Sequence, residues 1–223
     1  QCPPATTHVG FHQQHVGRSV ATDGGFALFG HTRGYHVELM QRQPNGIWQR
    51  LGFIGTSSNP VRMGFAVALK GNTAVAGDAW DRTKPVLGAV AIGEQRAGRW
   101  TTTTMLYPPT NGGNSLGSVV AISTDENWVA ATSSENGGTV FVYTRGAQGW
   151  VYHSRVAPTN PTSVAGFGSA LAMAGGRLFV GAPGDAQRLG AVFVFERRAN
   201  AWIQAARLVP GGSAVGDGIG SAL

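Results

Sequence analysis

The chain has 223 residues, of which 42% are hydrophobic, 13% are charged and 34 are glycine, and its formal net charge is +6. This length suits one domain of modest size or part of a larger one. No run of eighteen apolar residues occurs, which excludes a membrane-spanning helix by hydropathy. Low charge and abundant glycine are typical of a β protein rich in turns.

The first fifteen residues carry a histidine pattern, formed by His8, His12 and His15. On a helix, His8 and His12 would share one face and could bind a metal ion. The segment contains glycine and β-branched residues, which disfavour a helix. We therefore predict ordinary surface histidines and no metal site here.

The only cysteine is Cys2. A lone cysteine in a secreted chain suggests an intermolecular disulfide or an unpaired thiol. The chain begins with Gln1 and not with Met, which indicates removal of a signal peptide or another processing event. These features predict a secreted or cell-surface protein.

An internal repeat of about 50 residues follows. A glycine followed by small and apolar residues opens each unit, at Gly17, Gly64, Gly117, Gly168 and Gly220. A tryptophan recurs at the same period, at Trp48, Trp100, Trp150 and Trp202. The units are predicted at residues 16–62, 63–114, 115–165 and 166–217, with a partial unit at 218–223 and an N-terminal segment at 1–15. This period is typical of propeller blades.

Each unit contains four short apolar runs separated by turn residues. In the fourth unit they are SALAMA (169–174), RLFVGA (177–182), AVFVFE (191–196) and WIQAARL (202–208). Runs this short, rich in β-branched and aromatic residues, favour strands over helices. We therefore predict an all-β propeller of four-stranded antiparallel blades, with four full repeats and the first strand of a fifth.

Two loops supply the candidate ligand-binding residues, Asp78, Trp80, Asp81 and Arg82 in the second unit and Asp185 and Arg188 in the fourth. An exposed tryptophan between charges suits contact with a sugar or a protein. Alternatively Trp80 folds back onto its own blade, which is the favoured interpretation because large aromatic residues usually supply buried area. For Asp78 and Asp185 we favour a local Asx turn.

Four arginines each end the third predicted strand of a unit, namely Arg42, Arg96, Arg145 and Arg197. As a basic rim they could bind anionic glycan, nucleic acid or membrane phosphate. Alternatively each arginine stacks on the tryptophan of its own unit or pairs locally, which we favour. Nucleic acid is not an expected partner, because no nucleic-acid-binding motif is present.

The fourth unit, FGSALAMAGGRLFVGAPGDAQRLGAVFVFERRANAW, resembles an FG-GAP repeat, with FG at Phe167-Gly168 and GAP at Gly181-Ala182-Pro183. Such repeats build the N-terminal propeller of integrin α subunits and occur in many bacterial secreted and surface proteins. The second and third units keep the outline but lose GAP. The resemblance, over residues 16–223, implies the fold and leaves the function to the sites.

Many members of this family carry a calcium loop between the first two strands of a blade, which needs several oxygen ligands. Three of the corresponding turns here are too short and too poor in carboxylates. The remaining turn offers only Asp125 and Glu126. We therefore predict no calcium at these turns, and we expect no cofactor.

No GxSxG motif or other catalytic constellation is apparent, so the sequence predicts no enzymatic activity. The leading hypothesis is a non-catalytic binding module, such as a lectin or adhesion domain, that holds a glycan or a partner protein through loops or grooves between blades. The alternative is a structural or assembly subunit completed by a second chain or by another copy. An enzyme or an enzyme-accessory domain is the third hypothesis.

The partial fifth unit raises the question of how the propeller closes. Residues 4–11 could supply an outermost strand and residues 219–223 an innermost strand of a closing blade. Open sheet edges invite pairing. The sequence leaves three solutions open: a closed four-bladed ring, a piece of a longer propeller, or strand exchange between molecules.

Overall fold

The computed structural model describes residues 16–31, 36–55, 63–79, 88–109, 115–134, 138–160 and 164–223. These residues form sixteen strands and one short helix, α1 (Asp185–Arg188). In this part of the chain no helix is long and apolar enough to cross a membrane. The histidines at positions 8, 12 and 15, Cys2 and the strand predicted at 4–11 lie outside the described residues.

The strands form four antiparallel sheets, called blades 1 to 4 here, and each sheet pairs its strands in chain order. Blade 1 contains β1 (Val16–Asp23), β2 (Phe26–His31), β3 (His36–Arg42) and β4 (Trp48–Gly55). Blade 2 contains β5 (Ala66–Lys70), β6 (Thr73–Asp78), β7 (Ala89–Arg96) and β8 (Arg99–Leu106). Blade 3 contains β9 (Val120–Ile122), β10 (Trp128–Ser133), β11 (Thr139–Gly146) and β12 (Gly149–Val156). Blade 4 contains β13 (Ala170–Ala174), β14 (Arg177–Ala182), β15 (Ala191–Arg198) and β16 (Ala201–Leu208). The predicted all-β fold with four-stranded antiparallel blades is confirmed.

The two outer strands of every blade share one irregularity. Their register shifts once, between Leu39 and Met40 in blade 1 and between Ile92 and Gly93 in blade 2. Blades 3 and 4 shift at the corresponding place. An extra residue on one strand bends it and increases the local twist. The outer half of each blade is therefore twisted in the same way.

In the part of the chain that the structure describes, the core consists of three apolar clusters, each between two consecutive blades. Leu39 and Ile54 belong to the cluster between blades 1 and 2, and Ile92 and Tyr143 belong to the one between blades 2 and 3. Leu178 and its neighbours fill the space between blades 3 and 4. Because successive side chains along a strand point to opposite faces, each blade packs a different face against each neighbouring blade.

Glycines set the distance between neighbouring blades at the end of the second strand. A Cβ on Gly77 would overlap the carbonyl oxygen of Gly117, and a Cβ on Gly181 would overlap that of Gly220. Only glycine permits backbones to approach this closely. In blade 3 the position is held by Thr132, whose hydroxyl donates a hydrogen bond to the backbone that enters blade 4.

The partial fifth unit repeats the junction that precedes blade 3. Ile219 forms a parallel bridge with Gly190, as Leu116 does with Gly88. Residues 219–223 therefore start as the other units do, although they contribute a bridge and not the predicted strand.

The innermost strands pack side by side in the order β1, β5, β9 and β13. Among the described residues, no packing of this extent joins β13 to β1. Within the described residues, the blades therefore follow one another in chain order.

Candidate functional site

A groove of about 520 Å³ opens between blades 2 and 3, beside the turn that joins β11 to β12. Its side-chain lining comes from Glu94, Arg96, Thr103, Thr104, Arg145, Gln148 and Trp150. The two arginines and Glu94 end the third strands of adjacent blades, and Trp150 lies at the start of β12. The repeat therefore places the charged and aromatic residues of two blades on opposite walls of one groove.

Glu94 is the centre of this groove, and its side chain is only 7% exposed. Arg96 Nη2 donates to Glu94 Oε2 at 2.6 Å, and Arg145 Nη2 approaches Oε1 at 3.0 Å from the next blade. Trp150 Nε1 also donates to Oε1, at 3.3 Å. One carboxylate thus accepts hydrogen bonds from two side chains, forms an ion pair with a third and joins two blades.

Burial raises the pKa of Glu94, but the hydrogen bonds from Arg96 and Trp150 and the positive charges of Arg145 and Arg96 outweigh it. The pKa of Glu94 consequently lies below its usual value. The carboxylate is therefore ionised at neutral pH. It cannot donate a proton there, and its role is to hold the two guanidinium groups.

Arg145 is fixed from several sides. Its guanidinium lies 5.1 Å from the ring centre of Trp150, and its Nη2 donates to Thr73 Oγ1 at 2.8 Å. That hydroxyl donates in turn to Glu126 Oε2 at 2.8 Å. The Arg145 side chain remains 35% exposed and the Arg96 side chain 75% exposed. Both guanidinium groups are accessible from the groove, and one of them is held in place.

This arrangement suits a ligand that combines an anionic group with a polar ring. Guanidinium groups bind phosphate and carboxylate in planar, bidentate geometry. An indole offers an apolar wall, and the hydroxyls of Thr103 and Thr104 add polar contacts in the lining. Small-molecule sites commonly combine an apolar wall with a few fixed polar groups.

A smaller groove of about 250 Å³ lies between blades 3 and 4. It is lined by Trp128 and Trp202, whose rings meet edge to face at 5.6 Å, and Arg197 lies 5.0 Å from the Trp128 ring centre. Trp202 Nε1 is buried without a hydrogen-bond partner among the described residues. The strand position that Glu94 holds in blade 2 is Thr144 here, so this groove lacks the buried carboxylate.

The predicted basic rim is irregular in the structure. Arg42, Arg145 and Arg197 each donate their backbone N–H to the turn between the first two strands of their own blade, but in blade 2 this donor is Gln95. Arg96 therefore lies one residue beyond the equivalent position. No experiment tests binding at the rim, which stays a prediction.

The alternative interpretation, in which each arginine stacks on the tryptophan of its own unit or pairs locally, holds in part. Arg145 stacks on Trp150 of its own blade, whereas Arg197 stacks on Trp128 of the preceding blade. Arg96 forms an ion pair with Glu94.

The candidate ligand-binding residues do not form one surface in the described structure. Asp78 is fully buried, and Asp185 is only 2% exposed. Arg207 Nε and Nη2 lie 2.7 and 2.6 Å from Asp185 Oδ2. Arg188 is exposed, and its carbonyl accepts from the backbone of the segment after β16. The other three candidates, Trp80, Asp81 and Arg82, lie outside the described residues.

The two carboxylates of the longest first turn are bound by protein donors. Asp125 accepts from the Ser123 hydroxyl and the Asn127 N–H, and Glu126 accepts from the Asn72 N–H and the Thr73 hydroxyl of blade 2. Within the described ranges no group of three or more His, Cys, Asp or Glu side chains could hold a metal ion. The absence of calcium stays a prediction.

Glu94 was not a candidate from the sequence. A sequence signal for this position exists, namely a glutamate six residues before the repeated tryptophan. It occurs twice, as Glu94 before Trp100 and as Glu196 before Trp202. His31 and Ser133, which end the second strands of blades 1 and 3 and are both buried, were not singled out from the sequence either. Burial lowers the pKa of His31, although Glu38 opposes the shift.

No protein-family model matches the chain, and no curated protein sequence matches it. Solved structures do match. One, provisionally assigned as a 6-phosphogluconolactonase from Bacteroides uniformis, is 12% identical with a TM-score of 0.56, over 88% of this chain and 55% of that one. Another, a protein of unknown function from Desulfotomaculum acetoxidans, is 17% identical with a TM-score of 0.55, over 87% of this chain and 56% of that one. The chain spans about half the length of both, and at these identities the likeness shows the fold alone.

These comparisons correct two predictions from the sequence. The non-catalytic binding module and the absence of enzymatic activity are contradicted, because a solved structure with this fold is provisionally assigned as a 6-phosphogluconolactonase. The groove between blades 2 and 3 takes its charged residues from separate repeats, and no short motif can contain them.

Proposed function

We propose that this chain is a propeller hydrolase that opens the ring of a phosphorylated sugar lactone, and that the groove between blades 2 and 3 binds this substrate. The observation that carries the proposal is the pair of guanidinium groups, Arg96 and Arg145, held on the buried, ionised Glu94 beside the Trp150 indole. The fold likeness to the chain assigned as a 6-phosphogluconolactonase supports the choice of reaction.

The reaction requires stabilisation of negative charge. When water adds to the lactone carbonyl, charge develops on the carbonyl oxygen. The ring C–O bond then breaks, the departing oxygen takes a proton, and a hydroxy acid results. Donors that are fixed before the reaction stabilise such charge without reorganisation. Arg145, held by Glu94 and Thr73, is the guanidinium suited to this task.

The two arginines have different roles in this proposal. Arg96 is 75% exposed and binds the phosphate of the substrate, which is an electrostatic contact on the open side of the groove. Trp150 supplies the wall for the sugar ring. Glu94 is a positioning residue, because its contacts are to the guanidinium and indole groups.

We also propose that the repeats are of FG-GAP type, with the boundaries predicted from the sequence. In support, Phe167 is buried and meets the rings of Phe193 and Phe195 edge to face at 5.6 and 6.1 Å. Gly181, the first residue of GAP, occupies the crowded position between blades. Secretion or a cell-surface location is a further proposal, to be tested by fractionation of the source cells.

The test is the initial rate of ring opening of a 6-phosphorylated gluconolactone by the wild-type chain and two arginine variants. We expect Arg145→Met to lower kcat/KM by about 10²–10³, the usual loss for a donor to a developing oxyanion. Arg99→Met is the matched control, since Arg99 is exposed and does not line the groove, and its rate should equal that of the wild type. An Arg145→Met variant that folds and keeps the full rate would refute this site.

A further inference from the structure

The junction between blades 3 and 4 repeats one side of the site around Glu94. In the junction between blades 2 and 3, Arg145 and Trp150 are paired across β11 and β12, and both contact Glu94 of the preceding blade. Arg197 and Trp202 are paired in the same way across β15 and β16. Blade 4 therefore presents to blade 3 the same arginine and tryptophan that blade 3 presents to blade 2.

The acceptors on the other side of the site are replaced in this junction. The strand position of Glu94 is held by Thr144. Thr73, whose hydroxyl accepts from the arginine of the junction between blades 2 and 3, is replaced by Trp128. Neither replacement carries a charge, and an indole nitrogen only donates. Arg197 consequently lacks both acceptors that its counterpart uses.

The guanidinium of Arg197 lies on an aromatic ring instead. It is 5.0 Å from the ring centre of Trp128, and within the described residues its side chain forms no hydrogen bond or ion pair. Burial and the positive charge of Arg197 together lower the pKa of His153, whose ring meets Trp128 edge to face at 4.9 Å. A guanidinium carries five N–H donors, so Arg197 retains its full capacity to bind an anion.

Trp202 has a second unused donor. Its Nε1 is buried and has no hydrogen-bond partner in the part of the chain that the structure describes. The equivalent Trp150 Nε1 donates to Glu94 Oε1 at 3.3 Å. A buried donor without an acceptor is unfavourable, and an acceptor that reaches it removes this cost. The junction thus has the donors of the Glu94 site and lacks its carboxylate.

Both residues line the groove of about 250 Å³ between blades 3 and 4. Trp128 and Met173 add apolar surface to this lining. Pockets for drug-sized ligands usually measure about 300–1,000 Å³, so an occupant of this groove is small.

The charges in the groove favour one orientation of an anionic ligand. Asp125 lines the blade 3 side. Burial raises its pKa, but the hydrogen bonds from Ser123 and Asn127 outweigh burial and hold the pKa of Asp125 below its usual value. Arg177 and Arg197 line the blade 4 side. An anionic group is therefore repelled from blade 3 and attracted to blade 4, where the unused donors are.

We propose that the groove between blades 3 and 4 binds a small organic carboxylate, whose charged group takes the place that Glu94 holds between blades 2 and 3. The carboxylate accepts from the Arg197 guanidinium and from the Trp202 indole N–H, and the body of the ligand rests on Trp128 and Met173. This site is separate from the groove between blades 2 and 3, so the proposal does not rest on the proposed hydrolase activity.

The experiment follows the indole N–H signals of the isotope-labelled chain by NMR while sodium benzoate is added at constant ionic strength. Trp202→Phe assigns the signal of interest. We expect the Trp202 N–H proton to move downfield and to saturate, because it gains a charged acceptor. Benzyl alcohol, which has the same ring and no carboxylate, should produce no such shift.

Two other tryptophans are internal controls. The Trp150 N–H already donates to Glu94, so its signal should not respond to benzoate. Trp100 Nε1 is buried without a partner, as Trp202 Nε1 is, but the residue paired with Trp100 is Gln95 and not arginine. Its signal should therefore also stay in place. A carboxylate that bound any buried indole would shift Trp100 as well.

Arginine variants test the charged contact. Arg197→Met should weaken benzoate binding about ten- to a hundredfold, the contribution of a hydrogen bond to a charged group. Arg198→Met is the matched control, because Arg198 is the next residue along the strand, its side chain is 66% exposed and it does not line the groove. Its affinity for benzoate should equal that of the wild type.

A substitution at Thr144 tests where the carboxylate lies. Thr144→Glu places a carboxylate at the strand position of Glu94, so the Trp202 signal should move downfield without benzoate, and benzoate should no longer bind. Thr144→Val is the control, since it keeps the shape of the side chain without a charge, and it should bind benzoate as the wild type does. The dispersion of the spectra reports that each variant is folded.

Three results would overturn the proposal. The first is a Trp202 signal that does not respond to benzoate in the folded wild type, and the second is an equal response to benzyl alcohol. The third is an unchanged affinity in Arg197→Met. A Thr144→Glu chain that binds benzoate as tightly as the wild type would overturn the placement of the carboxylate at the Glu94 position.

Discussion

The backbone N–H of Gly71 donates a hydrogen bond to Asp23 Oδ2 at 2.6 Å, and this bond ties the first turn of blade 1 to that of blade 2. Lys70 Nζ lies 3.2 Å from the other oxygen of the same carboxylate. From the opposite side, Glu126 of blade 3 accepts from the backbone N–H of Asn72. The turn of blade 2 is thus held by a carboxylate from each neighbouring blade.

Asp23 should make stability depend on pH. The Gly71 hydrogen bond is the main cause that lowers the pKa of Asp23, assisted by Lys70, while burial opposes it. Because the folded pKa is depressed, the stabilisation is complete above the unfolded pKa of about 3.9 and is lost as pH falls through the folded pKa. We expect the difference in unfolding free energy between wild type and Asp23→Asn to be constant near neutral pH and to shrink below about pH 4.

Urea unfolding at a series of pH values measures this difference. Lys70→Met is the control, because it removes the ion pair and keeps the Gly71 bond. It should retain most of the pH dependence. A wild type and an Asp23→Asn variant whose unfolding curves differ equally at pH 3 and pH 7 would contradict the assignment.

Glu94 should be the carboxylate on which the junction between blades 2 and 3 depends. Glu94→Gln removes the charge that faces Arg96 and Arg145 in a buried position, so we expect a loss of about 1–3 kcal/mol in unfolding free energy. Glu196→Gln is the matched control, since Glu196 has an analogous i+2 arginine but is more exposed. The control should change stability far less than Glu94→Gln does, because exposed ion pairs contribute little. Equal losses for the two variants would show that burial at the junction is unimportant.

The contact of Gly77 with Gly117 should tolerate no side chain. A methyl group at Gly77 overlaps the Gly117 carbonyl oxygen, and the obstacle is backbone that cannot rotate away. We expect Gly77→Ala to cost about 1–3 kcal/mol or more through overpacking. Gly211→Ala is the control, because no atom lies within 4 Å of its added Cβ. Thermal unfolding of both variants decides the point, and similar melting temperatures would contradict the close packing.

Arg96 should select for the charge of the substrate. We expect Arg96→Met to raise KM for a 6-phosphorylated lactone and to leave the reaction of the unphosphorylated lactone nearly unchanged, because only the phosphate contacts this exposed guanidinium. For the wild type, added salt should weaken the preference for the phosphorylated substrate. Steady-state kinetics with both lactones measure the effect. An equal change for the two substrates would place the phosphate elsewhere.

The blades could be predicted from the sequence because their signal is local and repeated. In each unit a tryptophan, such as Trp48, marks the start of the fourth strand. It follows the preceding apolar run at a nearly fixed distance, so the sequence alone indicates where this strand begins. The alternation of side chains within those runs sets which residues face a neighbouring blade. Four repetitions make such a pattern stand out from chance.

The groove could not be predicted in the same way. Glu94 meets Arg145 and Trp150 only because blade 3 lies against blade 2, and 51 residues separate Glu94 from Arg145 in the chain. The sequence also grouped Arg96 with the other three arginines, although Gln95 pairs with the tryptophan of blade 2 and so holds the equivalent register position. Contacts between blades depend on register and twist, which residue spacing does not encode.

The most direct test of the proposed hydrolase is the ring opening of a 6-phosphorylated gluconolactone by the purified wild-type chain, followed by acid release at constant pH. The account predicts a rate above the spontaneous reaction that rises in proportion to protein concentration and disappears in heat-denatured protein. A rate equal to that of buffer alone, with folded protein at micromolar concentration, would contradict it.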